Sequence, residues 1–114
     1  MNGASAIAMS GMFAAEQRLN VAAYNIANAT TGVPADGQAV AANAFQALRA
    51  DQTEAPGGGT AVTVRTQFPN DALGGADFAS EAIEVVTARY TFAANVAVMR
   101  TAAQMQKVLL DTFA

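Results

Sequence analysis

The 114-residue sequence contains no cysteine, no histidine and no tryptophan. Without cysteine there is no disulfide framework, no thiol nucleophile and no thiolate metal site, and the redox compartment is left open. Without histidine the commonest general base and metal ligand is missing. Charge is scarce as well, with six Lys plus Arg against nine Asp plus Glu and a net charge of −3. The six bases, Arg18, Arg49, Arg65, Arg89, Arg100 and Lys107, are scattered along the chain. No nucleic-acid partner is expected from such a distribution. The apolar N-terminus MNGASAIAMSGMFAAEQR has no base ahead of its apolar run, so it does not read as a Sec-type signal. No run approaches the roughly 20 strongly apolar residues that span a bilayer, and no transmembrane segment is expected.

Slightly more than half of the residues are hydrophobic, yet the aromatics are only six Phe and two Tyr. Much of the apolar content is alanine, which buries little area per residue, so any core is thin for its nominal apolarity. Close packing between helices suits this composition. From Asn2 to Ala29, small or apolar residues recur at Ala8, Met12, Ala15, Leu19, Ala22, Ile26 and Ala29, a spacing of four and three that predicts a helix with a heptad seam. Glu16 and Arg18 are its only charges. A lone soluble helix normally has a more polar outer face, so this one is expected to be covered on several sides.

The turn TTGVPADGQ, Thr30 to Gln38, ends that helix. Two candidate strands follow, Ala39 to Arg49 and Thr60 to Gln67, joined by a glycine-rich tip over Glu54 to Gly59. The second alternates well and is rich in β-branched residues, whereas the first is alanine-rich and also compatible with helix. A linker over Phe68 to Asp77 leads to Asp77 as N-cap, with Glu81 and Glu84 in the next turns. From Phe78 nearly to the end the chain has neither glycine nor proline and reads as one long helix. One stripe runs through Arg89, Phe92, Val96, Met99, Ala103, Gln106, Leu110 and Phe113, and a second through Ile83, Val86, Tyr90, Ala93 and Ala97. The expected fold class is mainly α, with long N- and C-terminal helices paired as an antiparallel-type coiled coil and a small β-hairpin insert. The divisions fall at 1–30, 31–76 and 77–114 within one elongated domain.

Chemistry is hard to assemble from these residues. Glu81 and Glu84 share a helix face, but they read as first-turn charge favoured by the helix dipole. The run Gly57 to Gly59 lacks the lysine and helix start of a phosphate loop. Met9, Met12, Met99 and Met105, like Tyr24 and Tyr90, read as packing residues between helices. No catalytic residue, metal ligand or cofactor is predicted, and an enzyme is not expected.

The segment SGMFAAEQRLNVAAYNIANATT resembles the N-terminal motif of bacterial flagellar rod and hook axial proteins, through Leu19, Asn20, Ala23, Asn25, Ile26, Ala27 and Asn28. The segment Glu81 to Phe113 is similar to the closing helix of the same family, through Arg89, Phe92, Ala94, Asn95, Thr101, Ala102, Leu109 and Leu110. The compact middle region most resembles that of the short proximal rod proteins. The resemblance implies a structural subunit of the basal-body rod that polymerises through its terminal helices into a helical tube. It also implies passage through the flagellar type III export apparatus without a cleaved signal, assembly with copies of itself and with other rod and hook proteins, and a part in motility. Alternatives are a separate extracellular homopolymeric filament or a secreted adaptor of the export system.

The residues expected at subunit interfaces are Met12, Leu19, Asn20, Asn25, Ile26 and Asn28 on the first helix. On the second they are Arg89, Tyr90, Phe92, Asn95, Val96, Met99, Leu110 and Phe113. Asparagine is a poor helix-interior residue, so three amides in four turns call for a reason. Interhelical hydrogen bonds that fix register are the expected one. The termini are expected to order only on assembly, because long unpaired helices are poorly stabilised.

Overall fold

The computed structural model describes residues 3–29, 31, 45–67 and 77–113. Helix α1 runs Gly3–Asn28, strand β1 Leu48–Glu54, strand β2 Thr60–Thr66 and helix α2 Phe78–Phe113. The described chain is therefore mainly helical, with two long helices packed on each other and one small antiparallel hairpin. Its radius of gyration is 19.4 Å and its principal extents are 73 × 25 × 15 Å. A compact chain of this length would have a radius near 13 Å. The molecule is a rod.

Helix α2 starts where the sequence predicts. Asp77 caps it by accepting the Ala79 N–H on Oδ1 at 3.2 Å and the Ser80 hydroxyl on Oδ2 at 2.6 Å. These donors hold the exposed Asp77 carboxyl below the usual carboxylate range, the Ser80 hydroxyl contributing most. The absence of Gly and Pro then lets α2 continue for 36 residues, about 54 Å at ~1.5 Å per residue. Helix α1 has 26 residues and is correspondingly shorter.

The helices are antiparallel. Asn25 bonds Glu81 at one end, and Gly11 lies against Asn95 further along, so numbers that rise along α1 fall by the same step along α2. In this register Asn28 lies level with Phe78, and Gly3 with Ala103. The pair is flush at one end, while at the other residues 104–113 of α2 extend past Gly3, the first described residue of α1.

The interface between the helices differs from the expected seam. Ala8, Ala15 and Ala22 are buried as predicted. The alternating positions, however, are held by Gly11, Arg18 and Asn25, while Met12, Leu19 and Ile26 are only half-buried. On α2 the buried positions are Ala88 and Ala102, one residue before the predicted Arg89 and Ala103, which are exposed. The cause is size. A Cβ on Gly11 would sit 2.7 Å from the Asn95 side chain, so the backbones approach only where small residues face each other. Seven of the eight buried apolar residues among those described are alanine, the exception being Val21.

The hairpin also departs from the expectation. Residues 39–44 of the predicted first strand lie outside the described residues, and β1 begins at Leu48 and continues through Glu54, which was assigned to the tip. The strand LRADQTE carries little apolar alternation of its own, and its conformation is set by pairing. Leu48 faces Thr66, Asp51 faces Thr63 and Glu54 faces Thr60. The loop shrinks to residues 55–59, with Gly57, Gly58 and Gly59 all at positive φ, where side-chain-bearing residues are strained. Arg49 and Arg65 face each other across the ladder, an arrangement that like charges disfavour. Asp51 relieves it by pairing with Arg49 at 2.9 Å and with Arg65.

Candidate functional site

Two junctions tie α1, the hairpin and α2 together. The first centres on Asn25, whose side chain is completely buried. Its Oδ1 accepts the Leu48 N–H at 2.8 Å, and its Nδ2 donates to the Leu48 carbonyl at 2.8 Å and to Glu81 Oε1 at 2.7 Å. Leu48 lies at a position where the ladder bonds of neighbouring residues point inward, so its own N–H and C=O face outward and the Asn25 amide substitutes for a missing strand. Burial raises the Glu81 carboxyl above its usual range, helped by Glu84 and Asp77 and opposed by the Asn25 bond. Arg18 bonds Glu84 beside it, and that carboxylate raises the Arg18 guanidinium further.

The second junction lies at Ser10 and Gly11. The Ser10 hydroxyl donates to the Ile7 carbonyl at 2.7 Å and accepts the Thr60 N–H at 3.0 Å. A Cβ on Gly59 would come within 2.4 Å of Ser10 Oγ, so glycine there serves close approach as well as backbone conformation. Gly11, one residue on, receives Asn95 of α2. The junctions are 15 residues apart, about 22 Å along a helix, which is close to the length of a seven-residue strand with its turn. The hairpin thus lies as a strap along α1, and Ala14 and Val21, which fall between the two junctions in sequence, are buried.

A polar groove of about 520 Å³ opens between hairpin and helices, lined in part by Arg18, Asp51, Gln52, Ser80, Glu81 and Glu84. Arg18 and Asp51 in it are paired with Glu84 and with the two hairpin arginines. Among the described residues no group of three or more His, Cys, Asp or Glu is placed to hold a metal ion. No described helix is long and apolar enough to cross a membrane.

The larger feature is the outer surface. Phe13, Tyr24, Ile83, Val86, Tyr90 and Phe92 are exposed along the paired region, and Met105, Val108, Leu109, Leu110 and Phe113 on the unpaired end of α2. Phe113 is 86 % exposed and Tyr90 75 %. Of the predicted interface residues, Asn20, Arg89, Tyr90, Phe92, Leu110 and Phe113 are exposed, and Met12, Leu19, Ile26, Asn28, Asn95, Val96 and Met99 half-buried. Asn25 is wholly engaged within the chain. Asn28 and Asn95 donate to carbonyls of their own helices, Tyr24 at 2.8 Å and Thr91 at 2.9 Å. Tyr24 also stacks, tilted, on Phe45 at 5.6 Å. Sequence reasoning missed Ser10, Gly11, Leu48 and the joining role of Glu81. The small-residue heptad through Ala8, Gly11, Ala15 and Ala22 was the available signal.

Residues 6–32 match the sequence model of a family described as Flagella basal body rod protein, and this supports a flagellar rod family for the chain. The match takes in nearly all of α1. No curated protein matches the chain closely enough to count as a relative.

Proposed function

We propose that this protein is a structural, non-enzymatic subunit of the bacterial flagellar basal-body rod, and that its terminal helices pair as a coiled coil and polymerise into a helical tube. The observation that carries this reading is the family match over residues 6–32. The distribution of apolar surface supports it. Large apolar side chains line the outside of both helices, whereas monomeric soluble proteins keep contiguous apolar patches small. Copies of the chain and other rod components would cover those side chains. The hairpin, fastened to α1 at two points, would ride on the helical body. Export in the unfolded state, without cleavage of a signal, fits a fold whose core is alanine and which gains most of its apolar burial on assembly.

Electron microscopy of the purified protein, alone and with isolated basal bodies lacking this subunit, tests the proposal. The expected result is incorporation into rods, lost in Ile26→Asp and Leu110→Asp. A soluble one-to-one complex with an export component and no polymer under any condition would overturn it. Long filaments of the single chain without affinity for basal bodies would replace it with the free-filament reading.

A further inference from the structure

The packing between the helices does not by itself single out one alignment. Helix α1 presents alanine at Ala8, Ala15 and Ala22, one heptad apart and all buried. Helix α2 presents Ala88, Asn95 and Ala102 at the same spacing. If α2 slides by one heptad so that Ala102 comes level with Gly11, each small residue of α1 meets the position one heptad further along α2. Gly11 then receives alanine in place of the Asn95 side chain that now lies against it. Ala15, now level with Thr91, comes level with Val98, which Ala8 already faces in the observed alignment. The small-residue contact is met equally well in both positions.

Two polar contacts are not repeated along the seam. The buried Asn25 donates to Glu81 Oε1 at 2.7 Å, and Arg18 bonds Glu84. One heptad on, these acids are replaced by Ala88 and Thr91, which offer Asn25 no side-chain acceptor and Arg18 no carboxylate. A buried donor left without its acceptor is costly, so these contacts separate two alignments that alanine does not. Asn95 makes no such distinction, because its amide donates to the Thr91 carbonyl of its own helix at 2.9 Å. The slide displaces α2 by about 10 Å at ~1.5 Å per residue. The ten residues between Gln67 and Phe78 span up to about 35 Å at ~3.5 Å each, so the connection permits it. Among the described elements the hairpin packs on α1 and not on α2, so it stays in place when α2 moves. The opposite slide takes Asn25 past the first residue of α2 and shortens the paired length.

We infer that the alanine seam accommodates two registers one heptad apart, and that Glu81 and Glu84, held by Asn25 and Arg18, select the one observed. Asn25 is then a positioning residue for three elements, since the same amide holds the N–H and C=O of Leu48 at 2.8 Å each. The register decides which outer residues of α1 and α2 stand side by side, and so the shape of the surface that a rod subunit presents. The inference concerns the single chain and does not depend on polymerisation.

The absence of cysteine allows a clean test. Asn20→Cys and Lys107→Cys, both at exposed positions, carry a pair of spin labels, and an excess of unlabelled chain removes distances between copies. In the observed register Asn20 lies level with Val86, about 31 Å along the axis from Lys107 at ~1.5 Å per residue. In the second register that separation falls to about 21 Å. Glu81→Ala combined with Glu84→Ala removes the α2 half of both contacts and leaves the Asn25 bonds to Leu48 intact. The expected result is a population with the distance shortened by about 10 Å, absent from the labelled parent. Glu81→Gln combined with Glu84→Gln keeps both acceptors and should restore the single long distance. Hydrogen exchange at Leu48 should stay as slow as in the parent in both variants, showing that the hairpin has not moved. An alanine variant that keeps the parent distance, that lengthens it, or that gives only the broad distribution of separated helices overturns the inference and leaves the rod proposal standing.

Discussion

The inside and the outside of this molecule are built from opposite materials. Between the helices lie Ala8, Gly11, Ala15, Ala22, Ala88 and Ala102, joined by one buried amide, while phenylalanine, tyrosine, leucine and isoleucine stand on the surface. In an ordinary globular domain the large side chains would be inside, because burial of a large aliphatic or aromatic group contributes about 1.5–3 kcal/mol and alanine much less. The difference teaches that the helix pair is positioned by close backbone approach and hydrogen bonds, while the large apolar side chains among the described residues stand exposed on the single chain.

Substitutions inside and outside should therefore act on different observables. The largest effect on folding is expected at Asn25. Asn25→Ala leaves the outward N–H and C=O of Leu48 without partners and should cost on the order of 3 kcal/mol in denaturant unfolding. Ala22→Leu comes next. It forces a large side chain into a fully buried alanine site, for an expected loss of about 1–3 kcal/mol, whereas Ile83→Ala on the outside should stay within about 0.5 kcal/mol. Equal effects at Ala22 and Ile83 would dissolve the distinction between the two regions. Gly59→Ala should loosen the hairpin by about 1–2 kcal/mol, since it combines a φ of 101° with a Cβ that meets Ser10. Hydrogen exchange at Thr60 would report the freed N–H.

The smallest effect is a pH dependence. Glu81 has its folded pKa raised by burial, so between its ordinary 4.5 and the raised value the folded chain holds more protons than the unfolded one. Stability therefore falls as pH rises through that window. Asp77 behaves in the opposite sense, contributing stability above its ordinary 3.8 that is lost as pH falls through its depressed folded value. The two windows do not overlap. Glu81→Gln keeps an acceptor for Asn25 and should remove the decline above pH 4.5 in unfolding titrations, leaving the acid limb due to Asp77.

Periodicity and terminal signals made much of the fold legible. Helix α2 follows from an Asp77 cap and a run without Gly or Pro, and β2 from the alternation of TAVTVRT. Strand β1 was not legible, because LRADQTE has few apolar residues and is held by pairing with β2 and by the Asn25 amide. The seam was displaced for a related reason. A search for large apolar residues at four-three spacing selects Met12, Leu19 and Ile26, yet the contact is made where side chains are smallest. The amide of Asn25, expected at a boundary between copies, is spent on a backbone partner 23 residues ahead that sequence spacing does not reveal.

The central claim is that the exposed apolar side chains serve contacts between copies. Sedimentation velocity of the unsubstituted chain and of Leu110→Asp over a concentration series tests it most directly, since Leu110 is 71 % exposed and its change should not disturb the fold. The account predicts that the unsubstituted chain passes into large assemblies while Leu110→Asp remains monomeric at every concentration. An unsubstituted chain that stays monomeric throughout, or a variant that assembles equally well, would contradict it.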